Sequence, residues 1–226
     1  QILLPWIMAS RGKMVEISEI DEKMQEEKPL SRGIMVGEPS EHYLYYAIYK
    51  PVFNRIRDLL RVGDPAISPI KIGIRKNSQD WPKLQKHLKK WTYVMTTDWS
   101  GFDASVRPKT LRKAWEVLIA SLDLSEEKKK TLALNLTNLY QNNFVNGVVF
   151  HAGYVLGKRG GIPSGSVFTS IIGSVVNFLV LNDLLSVHKH VKAYEIFVYG
   201  DDAIVGLEAE GDICEKFTKR AFLHQL

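Results

Sequence analysis

The feature that most constrains this chain is a pair of apolar, β-prone runs joined by residues that cannot stay in a core. Ile196-Phe197-Val198-Tyr199 leads into Gly200-Asp201-Asp202, and Ala203-Ile204-Val205-Gly206-Leu207 follows. Two such runs around a turn-forming triplet predict a hairpin with acids at its tip. A plain turn would explain the triplet alone, since turns favour both Gly and Asp. A second acid at a second strand end changes the reading: Tyr93-Val94-Met95-Thr96-Thr97 is β-prone and runs directly into Asp98. Carboxylates gathered in one place are costly unless cations share them. Magnesium suits such a site because it takes oxygen ligands and keeps waters or substrate phosphates in its octahedron. Two such ions about 3.5–4 Å apart can activate an attacking hydroxyl and stabilise a leaving oxygen in phosphoryl transfer. Neighbouring strand residues point to opposite faces, so Asp201 and Asp202 are expected to work unequally, with Asp201 the stronger ligand.

The rest of the chain mixes helices with strands. Residues 14–28 have apolar residues at helical spacing, 41–61 carry a second helical pattern bent near Pro51, and 107–122 and 212–225 also read as helices. Arg32-Gly33-Ile34-Met35-Val36 reads as a short strand. From Phe144 to Val155 two β-rich runs, broken at Asn146-Gly147, predict another hairpin. Lys158 to Ser166 is a glycine-rich loop before a long helix that ends near Leu185. This order favours an α+β fold over a doubly wound parallel sheet.

Composition narrows the function classes. One cysteine, Cys214, excludes a disulfide framework and a cysteine-based zinc site. His188 and His190 form a His-x-His pair with no third ligand nearby in sequence and read as surface residues. The apolar opening Gln1–Met8 lacks basic residues ahead of it and reads as buried or interface chain. Ile171–Leu185 is interrupted by Gly173, Ser174, Asn177, Asn182 and Asp183, too polar for a membrane span, so no membrane partner is expected. Gln1 in place of an initiator Met points to a fragment or a processed product. From Lys50 to Lys113, fifteen lysines and arginines stand against five aspartates. Such a segment attracts a polyanion, although a solvated surface reads the same way.

Three groups then fall in order. Asp98-Trp99-Ser100-Gly101-Phe102-Asp103 holds two acids five apart; Ser164-Gly165 is followed by Thr169 and Asn177; Tyr199-Gly200-Asp201-Asp202 closes the set. In this order and at these separations they resemble motifs A, B and C of viral RNA-dependent RNA polymerases. The wording Gly161-Ile162-Pro163-Ser164-Gly165-Ser166-Val167-Phe168-Thr169, with Asn177 beyond, is most similar to the partitivirus and picobirnavirus kind of double-stranded RNA virus. Each motif is weak to moderate alone, and the ordered set, covering residues 98–202, is strong.

The resemblance implies an α+β right-hand palm, an antiparallel sheet with packed helices, plus part of the fingers and no thumb. It divides the chain into partial fingers with a motif F-like segment (1–93), palm with motif A (94–120), a fingers insertion (121–157), and palm with motifs B and C and the start of D (158–226). It implies Asp98, Asp201 and Asp202 as catalytic ligands of two Mg2+ ions, with Mn2+ as a substitute. Asp103 would sense the ribose 2′-hydroxyl, to which a carboxylate can offer an acceptor. Ser164, Gly165, Thr169 and Asn177 would serve the incoming nucleotide, and Arg32 its triphosphate. Lys158 and Arg159 would touch template phosphates. Gly173 occupies the position where many positive-strand relatives carry asparagine, which leaves Asn177 either as the partner of Asp103 or as a buried helix residue. Trp99 reads as a core or palm contact.

The implied activity is template-directed RNA synthesis from ribonucleoside triphosphates, replicating and transcribing a viral genome. Its partners would be RNA template and nascent RNA, with a viral capsid protein as a further candidate, in the host cytoplasm or the virion interior. Two rivals stay open: a reverse transcriptase, which would share the motif A and C acids, and a non-catalytic RNA-binding protein on a palm-like fold.

Overall fold

The computed structural model describes residues 6–11, 32–36, 68–74, 79–121, 125–131, 146–166 and 168–210, with isolated positions at 20, 24, 39, 43, 54 and 77. The helical patterns expected over 14–28, 41–61 and 212–225 lie wholly or mostly outside these residues.

One sheet is three-stranded and antiparallel, of β3 (Tyr93–Thr97), β6 (Val191–Tyr199) and β7 (Asp202–Ala209), with β7 in the middle, where the resemblance expects a palm. A short flanking bridge adds to its edge: Ile70 pairs in parallel with Val198, and the amide of Val198 donates to the Pro69 carbonyl. A second sheet runs β2–β1–β4–β5, from β1 (Trp6–Arg11), β2 (Arg32–Val36), β4 (Asn146–His151) and β5 (Tyr154–Arg159). In it β1 and β4 are parallel and the other pairs antiparallel. Of the opening segment expected as buried or interface chain, Trp6–Met8 lie in β1, and Ile7 there is 58% exposed.

Among the described residues, the helices that join these sheets are α1 (Asp80–Leu88), the single turn α2 (Phe102–Ser105), α3 (Pro108–Ala120) and α4 (Thr169–Ser186). Pro108 opens α3 where its missing N–H costs nothing. By length and composition α4 could cross a membrane. Here it is the core helix, because its apolar residues face protein on two sides. Its first half packs Phe168, Ile171, Ile172 and Val175 against Leu111, Ala114, Trp115 and Leu118 of α3. Its second half places Leu181 and Leu185 on Ile196, Val198, Ala203, Val205 and Leu207 of the palm sheet.

Strand alternation sends Phe197 and Ile204 to the opposite face, where Leu84 and Leu88 of α1 cover Phe197. Polar ties fix that layer. Glu195 accepts from Trp91 Nε1 at 3.1 Å and is bonded to His87 Nε2 at 2.5 Å and Lys90 Nζ at 3.1 Å. Burial alone would raise the Glu195 carboxyl, but these three partners outweigh it and hold the group below the usual carboxylate range.

The hairpin expected between Phe144 and Val155 exists, with its turn elsewhere. The loop is Ala152-Gly153, both at positive φ, and Asn146-Gly147 pairs with Arg159 and Lys158 inside the ladder. Pairing with Arg159 and Lys158 of β5 holds Asn146-Gly147 extended and overrides its local turn preference. Lys158 and Arg159 accordingly end β5 instead of opening a loop.

Candidate active site

Register alone brings the acids together. Thr97, the last residue of β3, pairs with Ala203, so Asp98 and Asp202 follow and precede paired residues at the same end of the sheet. Tyr199 pairs with Asp202, leaving Gly200-Asp201 as a two-residue hairpin loop. Gly200 takes φ +63°, the left-handed value that a glycine adopts at no steric cost. Asp98, Asp201 and Asp202 are all exposed at this end. The Asp202 carboxyl is raised above its ordinary value, first by partial burial and then by the charges of Asp201 and Asp98. Among the described residues no three His, Cys, Asp or Glu side chains already form a ready cage for an ion. The donor set nevertheless suits a hard divalent cation: three carboxylates at one sheet end, near enough for their charges to be felt, and open to solvent.

The turn is held from beneath by α4. Asn177 and Ser174 are both fully buried on this helix, three residues apart and hence on one face. Ser174 Oγ accepts the Gly200 amide at 2.8 Å while donating to the Ser170 carbonyl. Asn177 Nδ2 donates to the carbonyls of Gly200, Asp201 and Asp202 at 3.1, 2.8 and 3.3 Å. Its Oδ1 accepts Trp99 Nε1 at 2.9 Å. Asn177, expected to serve the nucleotide, is 0% exposed and spends its amide on Trp99 and the turn. Trp99 is the palm contact expected, packed beside Phe102 at 6.2 Å between ring centroids.

The glycine-rich loop is fastened to the Asp103 turn through backbone. The Gly161 amide donates to the Val106 carbonyl at 2.8 Å, and that of Ile162 donates to the Asp103 carbonyl at 2.7 Å. Asp103 sits half-buried in α2. Lys158, expected on template phosphate, turns its ammonium onto the loop itself and donates to the carbonyls of Gly160 at 2.6 Å and Gly161 at 2.8 Å. Burial pushes that ammonium down to about 8. Arg159 is exposed at the end of β5.

Ser164 and Gly165 lie against β2. Ser164 Oγ accepts the Met35 amide at 3.3 Å, and Arg32 opens the same strand three residues earlier. Thr169 starts α4 and directs its one hydroxyl proton at the Pro163 and Ser166 carbonyls, 2.5 and 2.8 Å away. Residue identity had flagged all of these positions except Ser174. Its signal was available: a serine and an asparagine at i and i+3 are the polar residues on the buried stripe of an apolar helix.

A three-stranded antiparallel sheet with acids at one end, backed by a core helix that grips the hairpin turn, is a polymerase-type palm. The solved Sicinivirus 3Dpol RNA-dependent RNA polymerase shares this fold, with a TM-score of 0.71 at 17% identity over 96% of this chain and 44% of that one. The viral RNA-dependent RNA polymerase family matches residues 62–223, and the chain belongs to that family. Among its relatives, the RNA-directed RNA polymerase of Cryptosporidium parvum virus 1 (strain KSU-1) is 31% identical over 139 residues, 57% of this chain and 26% of that protein. The RNA1 polyprotein of Broad bean wilt virus 2 is 26% identical over 172 residues, 71% of this chain and 9% of that polyprotein. The chain thus spans only part of the length of the proteins it matches.

Proposed function

We propose that this chain carries the catalytic palm of an enzyme that copies an RNA template, joining ribonucleoside triphosphates to an RNA 3′-hydroxyl. The observation that carries the reading is the meeting of Asp98 with Asp201 and Asp202 at one sheet end, through the Thr97–Ala203 pair. In the reaction the 3′-oxygen forms a bond to the α-phosphorus, the bridging P–O bond breaks, and pyrophosphate leaves. The three carboxylates would hold two Mg2+ ions, or Mn2+ in their place. Divalent ions there supply charge neutralisation at the reacting phosphate.

The chain's own residues supply position. Asp103, on a turn bonded to the glycine loop, accepts a hydrogen bond from the ribose 2′-hydroxyl. Ser164 and Gly165 place the loop beside the nascent base pair, with Thr169 shaping it through the Pro163 and Ser166 carbonyls. Arg32, on the strand that the loop touches, binds triphosphate, and exposed Arg159 meets template phosphate. Holding the reactants in line removes much of the entropic barrier.

The genome type we assign is double-stranded RNA, on the Gly161–Thr169 wording alone. Template and product RNA are the partners, with a capsid protein in contact if synthesis occurs inside a particle. The site reading is tested by comparing ribo- with deoxyribonucleotide incorporation in the parent and in Asp103→Ala. Loss of ribonucleotide preference in the variant supports it; an unchanged preference removes Asp103 from the role, and a parent that prefers deoxyribonucleotides indicates a reverse transcriptase.

A further inference from the structure

Asn177 is fully buried in the core, so its polarity needs a reason. A buried amide is costly unless each of its groups is bonded. Here the cost is fully met, and by groups from two different acid-bearing segments. Trp99 follows Asp98 directly, and its indole N–H can only donate. That donor fixes which end of the Asn177 amide is oxygen, at 2.9 Å. The NH2 end then faces the three consecutive carbonyls of Gly200, Asp201 and Asp202. Two hydrogens serve three acceptors, so the turn must keep its peptide planes converging on one point. Ser174 takes a further polar group of the turn, the Gly200 amide. Trp99–Asn177–carbonyl is therefore a polar connection through the core between the Asp98 and Asp201 segments.

We propose that Asn177 is a positioning residue which, through Trp99 and the Gly200–Asp202 turn, sets the spacing between the Asp98 strand end and the motif C acids and so sets how tightly the site takes a divalent cation. This rests on the reading of those carboxylates as a metal site. Sheet hydrogen bonds fix the strands only up to Thr97 and Asp202, and the side chains beyond them need a second anchor. A carboxylate displaced by a fraction of an ångström loses much of its bond to a small, geometrically demanding ion. The indole–amide bridge is the second anchor, and it lies under the acids, away from substrate.

Three substitutions test the bridge: Trp99→Phe, which deletes the N–H and keeps a ring; Asn177→Leu, which deletes all four bonds; and Asp201→Asn as the reference. Mn2+ binding is followed by electron paramagnetic resonance on nucleotide-free full chain, beside melting in EDTA and the kcat and KM of ribonucleotide incorporation. Trp99→Phe should melt cooperatively in EDTA, bind Mn2+ about five- to tenfold more weakly, and lose kcat with KM nearly unchanged, the scale of one lost hydrogen bond. Mn2+ affinity within about twofold of the parent in Trp99→Phe overturns the proposal, whether or not Asn177→Leu folds. Equal Mn2+ binding by the parent and Asp201→Asn removes the metal-site reading itself, and the proposal with it.

Discussion

The carbonyl oxygen of Met35 lies 2.1 Å from the point that a Cβ on Gly165 would occupy. The motif B loop is thus seated directly on the backbone of β2, with Ser164 bonded to the same residue. No side chain can rotate away to make room, because the obstacle is a peptide group. Gly165→Ala should displace the loop and lower ribonucleotide incorporation at least about tenfold, with a smaller loss of melting temperature. Steady-state kinetics beside calorimetry would check this, and full activity in Gly165→Ala would show that the loop does not work from this seat.

Gly206 poses the same problem on the far face of the palm. A Cβ there would fall 2.2 Å from the Trp91 indole, whose Nε1 is tied to Glu195, the strand partner of Gly206. Gly206→Ala should cost about 1–3 kcal/mol in denaturant unfolding, as other overpacked sites do. Its Mn2+ affinity should stay near that of the parent, since the acids sit at the other end of the strand.

Glu195 gives a pH signature. Its carboxyl is held below the usual range by His87, Lys90 and Trp91 against the effect of burial. A depressed carboxylate stabilises the fold above its unfolded value and loses that contribution as pH falls through the folded one. The melting temperature of the parent should therefore drop more steeply than that of Glu195→Gln between about pH 5 and pH 3. Parallel curves would show that the α1 layer does not depend on this charge.

Lys158 works in the opposite sense. Its ammonium is lowered to about 8 by burial. The unfolded lysine keeps its proton to higher pH, so the penalty for burying the charge is present below about 8 and fades as pH rises from there towards the unfolded value of about 10.4. Lys158→Met should flatten that rise in stability while freeing the Gly160 and Gly161 carbonyls. The expected result is a looser loop, read as a higher KM for ribonucleotides with a similar salt dependence of RNA binding. A reduced salt slope would instead restore Lys158 as a phosphate contact.

Much of the palm could be read directly from residue order. Tyr93–Thr97 runs into Asp98, and the apolar runs Ile196–Tyr199 and Ala203–Leu207 flank Gly200-Asp201-Asp202, because a sheet that delivers carboxylates to a metal needs apolar strands and a polar tip. The β4–β5 turn was misplaced since Asn146-Gly147 carries a strong local turn preference and the true loop, Ala152-Gly153, contains a non-glycine residue at positive φ. The partners of Asn177 and Lys158 were invisible for a different reason. Both depend on which carbonyls approach once α4 and β5 are docked, and backbone acceptors leave no mark on sequence. Asn177 therefore reads equally well in sequence as a substrate contact or as a buried helix residue, and its 0% exposure favours the second.

The central claim is a metal-dependent RNA-copying site built on Asp98, Asp201 and Asp202, and one measurement bears on it most directly. Labelled ribonucleotide incorporation on an RNA template is followed with Mg2+ or Mn2+ and with EDTA, in the longest natural form of the chain beside its Asp201→Asn counterpart. The account predicts metal-dependent synthesis in the parent and a loss of at least about a thousandfold in the variant, the scale expected when a principal source of transition-state charge stabilisation is removed. Equal synthesis by both proteins, or synthesis that persists in EDTA, would contradict it.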